Sequence, residues 1–589
     1  MTVKTSKYMG QCATAMLLVA ALTRPAFAQQ PTEKRIRELV AEAAKIVATG
    51  QVSTPTTAQQ GGQTTAAGNG PMVHLSLDDA VKLALDRNLD IAVQRLNPAI
   101  NDIAVASLQS SYKPSLTSTV SQAGQTTAPL SQLQLAQGGG GVESTTTTYN
   151  AGIAQSLRWG GGSYSFGLNN NRQSTNSNNA FYNPQYQSVW SGTLTQPLLR
   201  NFSIDGTRQQ LQVTKLNREV SDIQLKQTIT NTLSNVRSAY WDYVFAVQSV
   251  DVAKQALDLA NKLVADNQTR VQVGTMAPID VVQAQAQAAT AQQNLVTAQA
   301  AVRTGELALK RLIVNGTADP NWTATIDPTD RPDFSPEPID VEGAIRRALS
   351  ERTDLEIAKK DVQMNDVTLK YLNDQTKPQA DFIATYGLQG VGGPYLNRLN
   401  SGVLGSAVTE TIPGGISDAF GTLFHNNYPR WTMQVNFSYP IGLSSQEAAV
   451  ARARVQLNQV QSQLRQIELQ VATDITNAGV NVRSNAERVQ AAQASRELAQ
   501  RQLDAENSKF AVGMSTNYFV VQFQNQLASA QNNELQAILN YRKSLVEFDR
   551  LQQTTLQTLG ITVVNGAGGV GATSAATAQA TGGNVQFGR

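Results

Sequence analysis

The side chains that most often carry chemistry are scarce in this chain. Cysteine occurs once, at Cys12, and histidine twice, at His74 and His425. His74 follows a Gly/Thr/Gln-rich stretch and His425 stands in a Gly/Asn-rich one. Neither has an obvious partner in sequence, and a catalytic triad or a multi-histidine zinc site needs more. Both are expected to be solvated loop histidines. The glycines at 138–141 and 160–162 are not followed by the Lys-Ser/Thr of a phosphate-binding loop. They read as a loop and a hairpin turn. No catalytic residue, cofactor or metal site is expected, and the chain is not expected to be an enzyme.

The N-terminus has the pattern of an export signal. Lys4 and Lys7 precede a short apolar stretch at 13–22, and Ala26-Phe27-Ala28 is a small-x-small cleavage site. Ten apolar residues are too few to span a bilayer. A lipid anchor needs a Cys at the cleavage site, and Cys12 precedes most of the apolar stretch, so the mature chain is expected to carry no thiol and no lipid. Residues 1–28 hold three basic residues (Lys4, Lys7, Arg24) and no acidic one. Their removal leaves 44 of the 47 basic residues against 44 acidic ones. A neutral chain gives no support to nucleic-acid binding, which needs concentrated positive charge.

Self-comparison organises the rest. Leu75-Ser76-Leu77-Asp78-Asp79-Ala80 matches Ile339-Asp340-Val341-Glu342-Gly343-Ala344 at an offset of 264, held without a gap to Lys113-Pro114 and Lys377-Pro378. Val273-Gly274 matches Val512-Gly513 at an offset of 239, as do Val281-Val282-Gln283 with Val520-Val521-Gln522 and Arg311-Leu312 with Arg550-Leu551. The drop places a longer middle in the first copy. The expected organisation is a signal peptide at 1–28 and an N-terminal helix with a disordered linker at 29–74. A first repeat at 75–314, a Pro-rich linker at 315–338, a second repeat at 339–562 and a disordered Gly/Ala/Thr tail at 563–589 follow.

Each copy alternates helix, strands and long helices. Ser76 is the expected N-cap of a helix that runs to the region of Tyr112, where Pro114 stops it. The period then changes from 3.6 to 2. Trp431-Thr432-Met433-Gln434-Val435-Asn436-Phe437-Ser438-Tyr439 alternates apolar and polar, and the segments around 380–388, 149–159, 164–171 and 190–194 do likewise. Such segments suit a transmembrane barrel with aromatic girdles or an ordinary half-buried sheet. After Gly206 the chain reaches Val271 without proline or glycine, about 100 Å as one helix. The stretch 445–511 is its counterpart, with shorter helices expected at 279–314 and 517–559. These helices are rich in Ala and Gln, too polar for lipid and suited to close coiled-coil packing.

Without a helical anchor, strands must do any spanning, and in lipid a sheet must close. Two membrane-length strands per copy give four per chain. Small single-chain barrels use about eight or more. Several chains would then share one barrel, and three chains giving twelve strands is one consistent solution.

Leu75-Ser76-Leu77-Asp78-Asp79-Ala80, with Ala84-Leu85 and Asn88-Leu89-Asp90-Ile91 beyond it, resembles the start of TolC-like outer-membrane efflux proteins. Lys113-Pro114-Ser115-Leu116 and Gln196-Pro197-Leu198-Leu199 at the helix–strand changes resemble them too, over roughly residues 75–562. The resemblance implies a mixed α/β membrane protein. It would have a long α-helical coiled-coil barrel through the periplasm and a transmembrane β-barrel shared between three chains, about four strands from each. It implies a homotrimer in outer-membrane lipid, acting as the passive exit duct of a tripartite efflux or type I secretion system. Its partners would be a periplasmic adaptor and an inner-membrane transporter that supplies the energy.

By position, the resemblance assigns adaptor contact to the hairpin tips, Val273-Gly274-Thr275-Met276 and Val512-Gly513-Met514-Ser515. In either case the glycines suit a tight helix–helix turn. It assigns the periplasmic aperture to Asp280, with Phe519 and Gln522 standing where acids are expected in the second copy. An Asp280 ring would attract cations, and Phe519 would supply an apolar constriction unless it packs between helices. A structural trimeric coiled-coil surface protein without a transport role is the alternative reading. It predicts one uninterrupted heptad array, which the alternating segments break.

Overall fold

Capping and proline placement set the helical frame. In this computed structural model the described residues are 72–128, 141–177, 180–331, 333–336, 338–399, 407–439, 441–442, 444–562 and the backbone of 573–574. The expected export signal, the N-terminal helix with most of its linker, and nearly all of the tail lie outside them. A short strand β1 (Met72–Leu75) leads into α1 (Leu77–Arg87) and α2 (Leu89–Ser110). The Ser76 side chain caps α1 by accepting from the Asp79 amide at 3.2 Å. The single helix expected here is two, because the Asn88 side chain accepts from the Asp90 and Ile91 amides and starts a second helix.

Four strands follow: β2 (Ser115–Thr127), β3 (Val142–Ser156), β4 (Ser163–Thr175) and β5 (Gln185–Pro197). The chain then enters α3 (Gly206–Gln272), capped by Asp205, and turns back in α4 (Pro278–Ile313). The second half holds α6 (Val341–Glu351), α7 (Thr353–Gln375), β7 (Gln379–Gly392), β10 (Pro429–Ser438), α9 (Ser445–Ala511) and α10 (Asn517–Leu551). Both α3 and α9 contain 67 residues, about 100 Å each. Between β7 and β10 lie a small hairpin, β8 (Tyr395–Arg398) with β9 (Val408–Ile412), and a helix, α8 (Ile416–Phe424).

The segment expected as a linker carries structure. It holds α5 (Pro320–Thr323) and β6 (Thr325–Pro328), and β6 pairs in parallel with β1. This pair is clamped on α3 by two buried tyrosines. The Tyr240 hydroxyl bonds Asp330 at 2.8 Å, and the Tyr243 hydroxyl donates to the Ile326 carbonyl. Burial pushes both phenols above their ordinary range. Around them Leu75, Leu225, Ile229, Leu233 and Leu309 form the largest apolar cluster.

About four membrane-length strands per chain were expected, and the main sheet holds six. One antiparallel sheet runs in the order β10-β7-β5-β4-β3-β2. β3 and β4 form a hairpin inserted between β2 and β5, and they pair along 13 positions. The alternating segments of the first half were visible in sequence. Alternation does not say whether a segment joins a neighbouring sheet, because lateral pairing is a long-range choice.

Candidate functional site

Two places could serve a function: the helical tip and the sheet faces. At the tip each long helix ends in the same backbone device. Gly274 donates to Val271 O at 3.0 Å and Thr275 donates to Arg270 O at 2.9 Å. Gly513 donates to Phe510 O at 3.2 Å and Met514 donates to Lys509 O at 2.9 Å. Both are Schellman motifs, with the glycines left-handed at φ 79° and 80°. A Cβ added there meets no atom within 4 Å, but the left-handed backbone strains any L side chain. Gly274→Val is therefore expected to destabilise the turn by about 1–2 kcal/mol. Amide exchange at residues 268–280 is expected to accelerate roughly tenfold or more; unchanged exchange would refute the turn's dependence on glycine.

The turns leave apolar side chains outward. Val273, Val512 and Met514 are 68%, 71% and 79% exposed in the single chain. Thr275 is also exposed, whereas Met276 packs against the tip cluster of Leu263, Ala284, Phe510 and Val520. Ser515 donates to the Glu506 carboxylate, which also pairs with Lys509 at 3.2 Å. The Ser515 hydroxyl foremost, then Lys509, holds the Glu506 carboxyl below the usual carboxylate range.

Asp280 lies in the first turn of α4 and Phe519 in the first turn of α10, with Gln522 exposed three residues on. Phe519 is 46% exposed in the single chain and makes an edge contact with Tyr518 at 5.6 Å. Sequence reasoning missed the residues that tie the two hairpins together. Asn267 is fully buried, and its Nδ2 donates to Asn517 Oδ1 at 2.9 Å. The Asn517 Nδ2 donates to Asp280 O at 3.2 Å. Arg270 donates to Phe510 O at 3.1 Å and lies 4.3 Å above that ring's centroid. A signal existed, because the 239 offset aligns Asn267 with Glu506 and each occupies an apolar-stripe position of its helix.

The sheet has two chemically distinct faces. Leu116, Ile153, Phe166, Gly192, Tyr386 and Trp431 form one row across all six strands. The adjacent row on the opposite face is Ser115, Ala154, Ser165, Thr193, Thr385 and Thr432. Apolar-out and polar-in alternation is the pattern of a transmembrane strand wall. Every residue of the outermost strands β2 and β10 is exposed in the single chain.

At one end, α8 lies on the apolar face, with Ala419 and Leu423 buried. A Cβ on Gly390 would stand 1.8 Å from the Ala419 carbonyl oxygen, so only glycine admits the helix.

The histidines stay apart. His425 caps the end of α8, as the Gly/Asn-rich context did not foretell. His74 sits in β1 with its Nδ1 2.8 Å from Asp327, a partner the sequence did not reveal. Among the described residues no cluster of three or more His, Cys, Asp or Glu is placed to hold a metal, and no helix is long and apolar enough to cross a membrane.

A strand wall with one apolar face joined to 100 Å helical hairpins is the architecture of outer-membrane channels. The fold is similar to the Campylobacter jejuni CmeC outer membrane channel, with a TM-score of 0.57 at 15% identity over 81% of this chain and 85% of that one. It is similar to VceC of Vibrio cholerae (TM-score 0.56, 13% identity, 81% and 95% covered). The open state of the Neisseria gonorrhoeae MtrE channel gives 0.54 at 13% identity, with 81% and 88% covered. No curated protein sequence matches the chain. The sequence matches the outer membrane efflux protein family over residues 161–315 and 344–552, and the chain belongs to that family. Its place is the cell outer membrane, with the helical part in the periplasm.

Proposed function

We propose that the chain is the passive exit duct of a tripartite efflux or type I secretion system, formed by three copies that share one barrel. The observation that carries this is the open sheet, apolar on one face, with both outermost strands unpaired in the single chain. In lipid such edges must find partners. β2 and β10 are the two free edges, so neighbouring copies would close the wall. Residues 75–314 and 339–562 are read as two copies of one unit. The 67-residue helices in each, and their 36- and 35-residue partners, support that reading.

The tips Val273-Gly274-Thr275-Met276 and Val512-Gly513-Met514-Ser515 would meet a periplasmic adaptor, which their outward valines and methionine support. An inner-membrane transporter would supply the energy. Asp280 would ring the aperture with charge, and the half-exposed Phe519 would supply its apolar constriction. Phe519→Ala is expected to raise single-channel conductance in planar bilayers severalfold; an unchanged value would remove Phe519 from the constriction. The duct itself is tested by the native mass of the detergent-extracted protein. Three chains, after subtraction of bound detergent, are expected. A water-soluble monomer would overturn the reading.

A further inference from the structure

The hairpin β3–β4 is part of the wall. Its apolar face, Tyr149, Ile153, Tyr164, Phe166 and Leu168, continues the apolar rows of its neighbours, and the aromatic ring of Phe166 lies over Gly192. Its other face, with Thr148, Asn150, Ser165, Asn169 and Asn171, continues the polar one. A plug or an outer loop has no reason to keep both faces in register with the sheet. The base of the hairpin is fixed as well. Leu157 donates to Gly162 O at 2.7 Å, Gln196 Nε2 donates to Gly160 O at 2.8 Å, and Trp159 meets Phe202 edge-on at 5.9 Å. The five successive pairings are all antiparallel, so β2 and β10 run in opposite directions. β10 of one copy can therefore pair with β2 of the next with no parallel seam.

We infer that the barrel has eighteen strands, six from each of three chains, and that its bore admits solutes too wide for a twelve-stranded wall. This rests on the three-chain closure proposed above. Barrel diameter grows roughly linearly with strand number, so the wall is about 1.5 times as wide as one of twelve strands. With strands about 4.8 Å apart and tilted about 40°, the backbone diameter is about 36 Å, against about 24 Å. After two layers of side chains of about 5 Å each, the lumen is about 26 Å, against about 14 Å. Hydroxyl and amide side chains line most of it, with one acid (Asp381) and one base (Arg430) per chain toward opposite ends, so with no net charge it discriminates by size more than by charge. The cargo class it fits is bulky hydrated solutes.

The test uses the full chain in planar bilayers, after its native mass has been measured. Poly(ethylene glycol) of graded size is added on the barrel side, and entry is read as a fall in conductance. A comparison variant replaces residues 128–184 by Asn-Gly, a two-residue turn that joins β2 to β5 and sets Thr127 opposite Gln185, four residues from the row Ala123 shares with Gln185 but with the two faces preserved. Three chains with polymer entering up to a radius of about 13 Å are expected, falling to about 7 Å in the variant. Three chains with a cut-off near 7 Å in the full chain would overturn the inference and leave the shared barrel standing. Two chains would close twelve strands and overturn the three-chain reading itself. Where the variant fails to assemble, the full chain's cut-off and the width of its end-on electron micrographs decide alone.

Discussion

Met433→Arg is expected to cost the inserted protein about 2–4 kcal/mol, whereas Gln434→Arg, one residue along the same strand, costs less than about 1 kcal/mol. Met433 pairs with Ala384 in the apolar rows and is 68% exposed in the single chain. Gln434 pairs with Ile383 on the opposite face, between Thr432 and Asn436. The side-chain period of a strand is two, so neighbours meet different solvents. An arginine at position 433 would carry its charge into hydrocarbon, while one at position 434 would meet the water of the lumen. Denaturant titration of the protein folded into liposomes measures the difference. A gap of 2 kcal/mol corresponds to roughly thirtyfold in the folding constant. Equal losses at the two positions would mean that this sheet does not divide lipid from water.

Asn267→Leu is expected to cost about 1–3 kcal/mol and to loosen the tip. Asn267 is fully buried, and its amide supplies the hydrogen bond to Asn517 Oδ1 across the two hairpins. Leucine leaves that oxygen without its partner in a dry site, and an unmet buried acceptor costs more than the bond itself contributed. Asn517 also holds the Asp280 carbonyl, so the loss reaches the first turn of α4 where the proposed aperture lies. Replacing both, Asn267→Leu with Asn517→Leu, is expected to cost less than the sum of the two single changes. The measurements are the melting temperature for the cost and hydrogen exchange at residues 263–285 and 506–522 for its location. Additive losses in the cycle would show that the two side chains do not act as a pair. The Arg270–Phe510 contact is a second tie between the same hairpins and limits how far the single change opens them.

Much of the helical frame is legible along the chain. The absence of proline and glycine after Gly206 predicts α3 to within a residue, and the span 445–511 coincides with α9. The tip glycines are legible too, because a left-handed residue after a long helix is a local requirement. The helix break at Asn88 was missed, since an asparagine inside an apolar-periodic run reads equally as surface or cap. The tip asparagines were missed because burial of a polar side chain depends on what packs over it, and α10 comes from 250 residues further along the chain. Helix α8 was missed for a related reason. Its seat is the glycines of β7, and they acquire meaning only when the two segments meet.

The amino-acid sequence by itself determined the alternation of helix and strand, the long polar helices, the two-period sheet segments and the scarcity of catalytic side chains. Each follows from local steric and solvation preferences that act over a few residues. The tertiary structure decided how many strands enter one sheet, which of them stand at its edges, and which polar groups are dry. Those outcomes depend on backbone hydrogen bonds and packing between segments far apart in the chain. A strand of period two carries no mark of its lateral neighbour. The inserted hairpin β3–β4 therefore alternates like any other pair, and only its thirteen paired positions with β2 and eleven with β5 join it to the sheet.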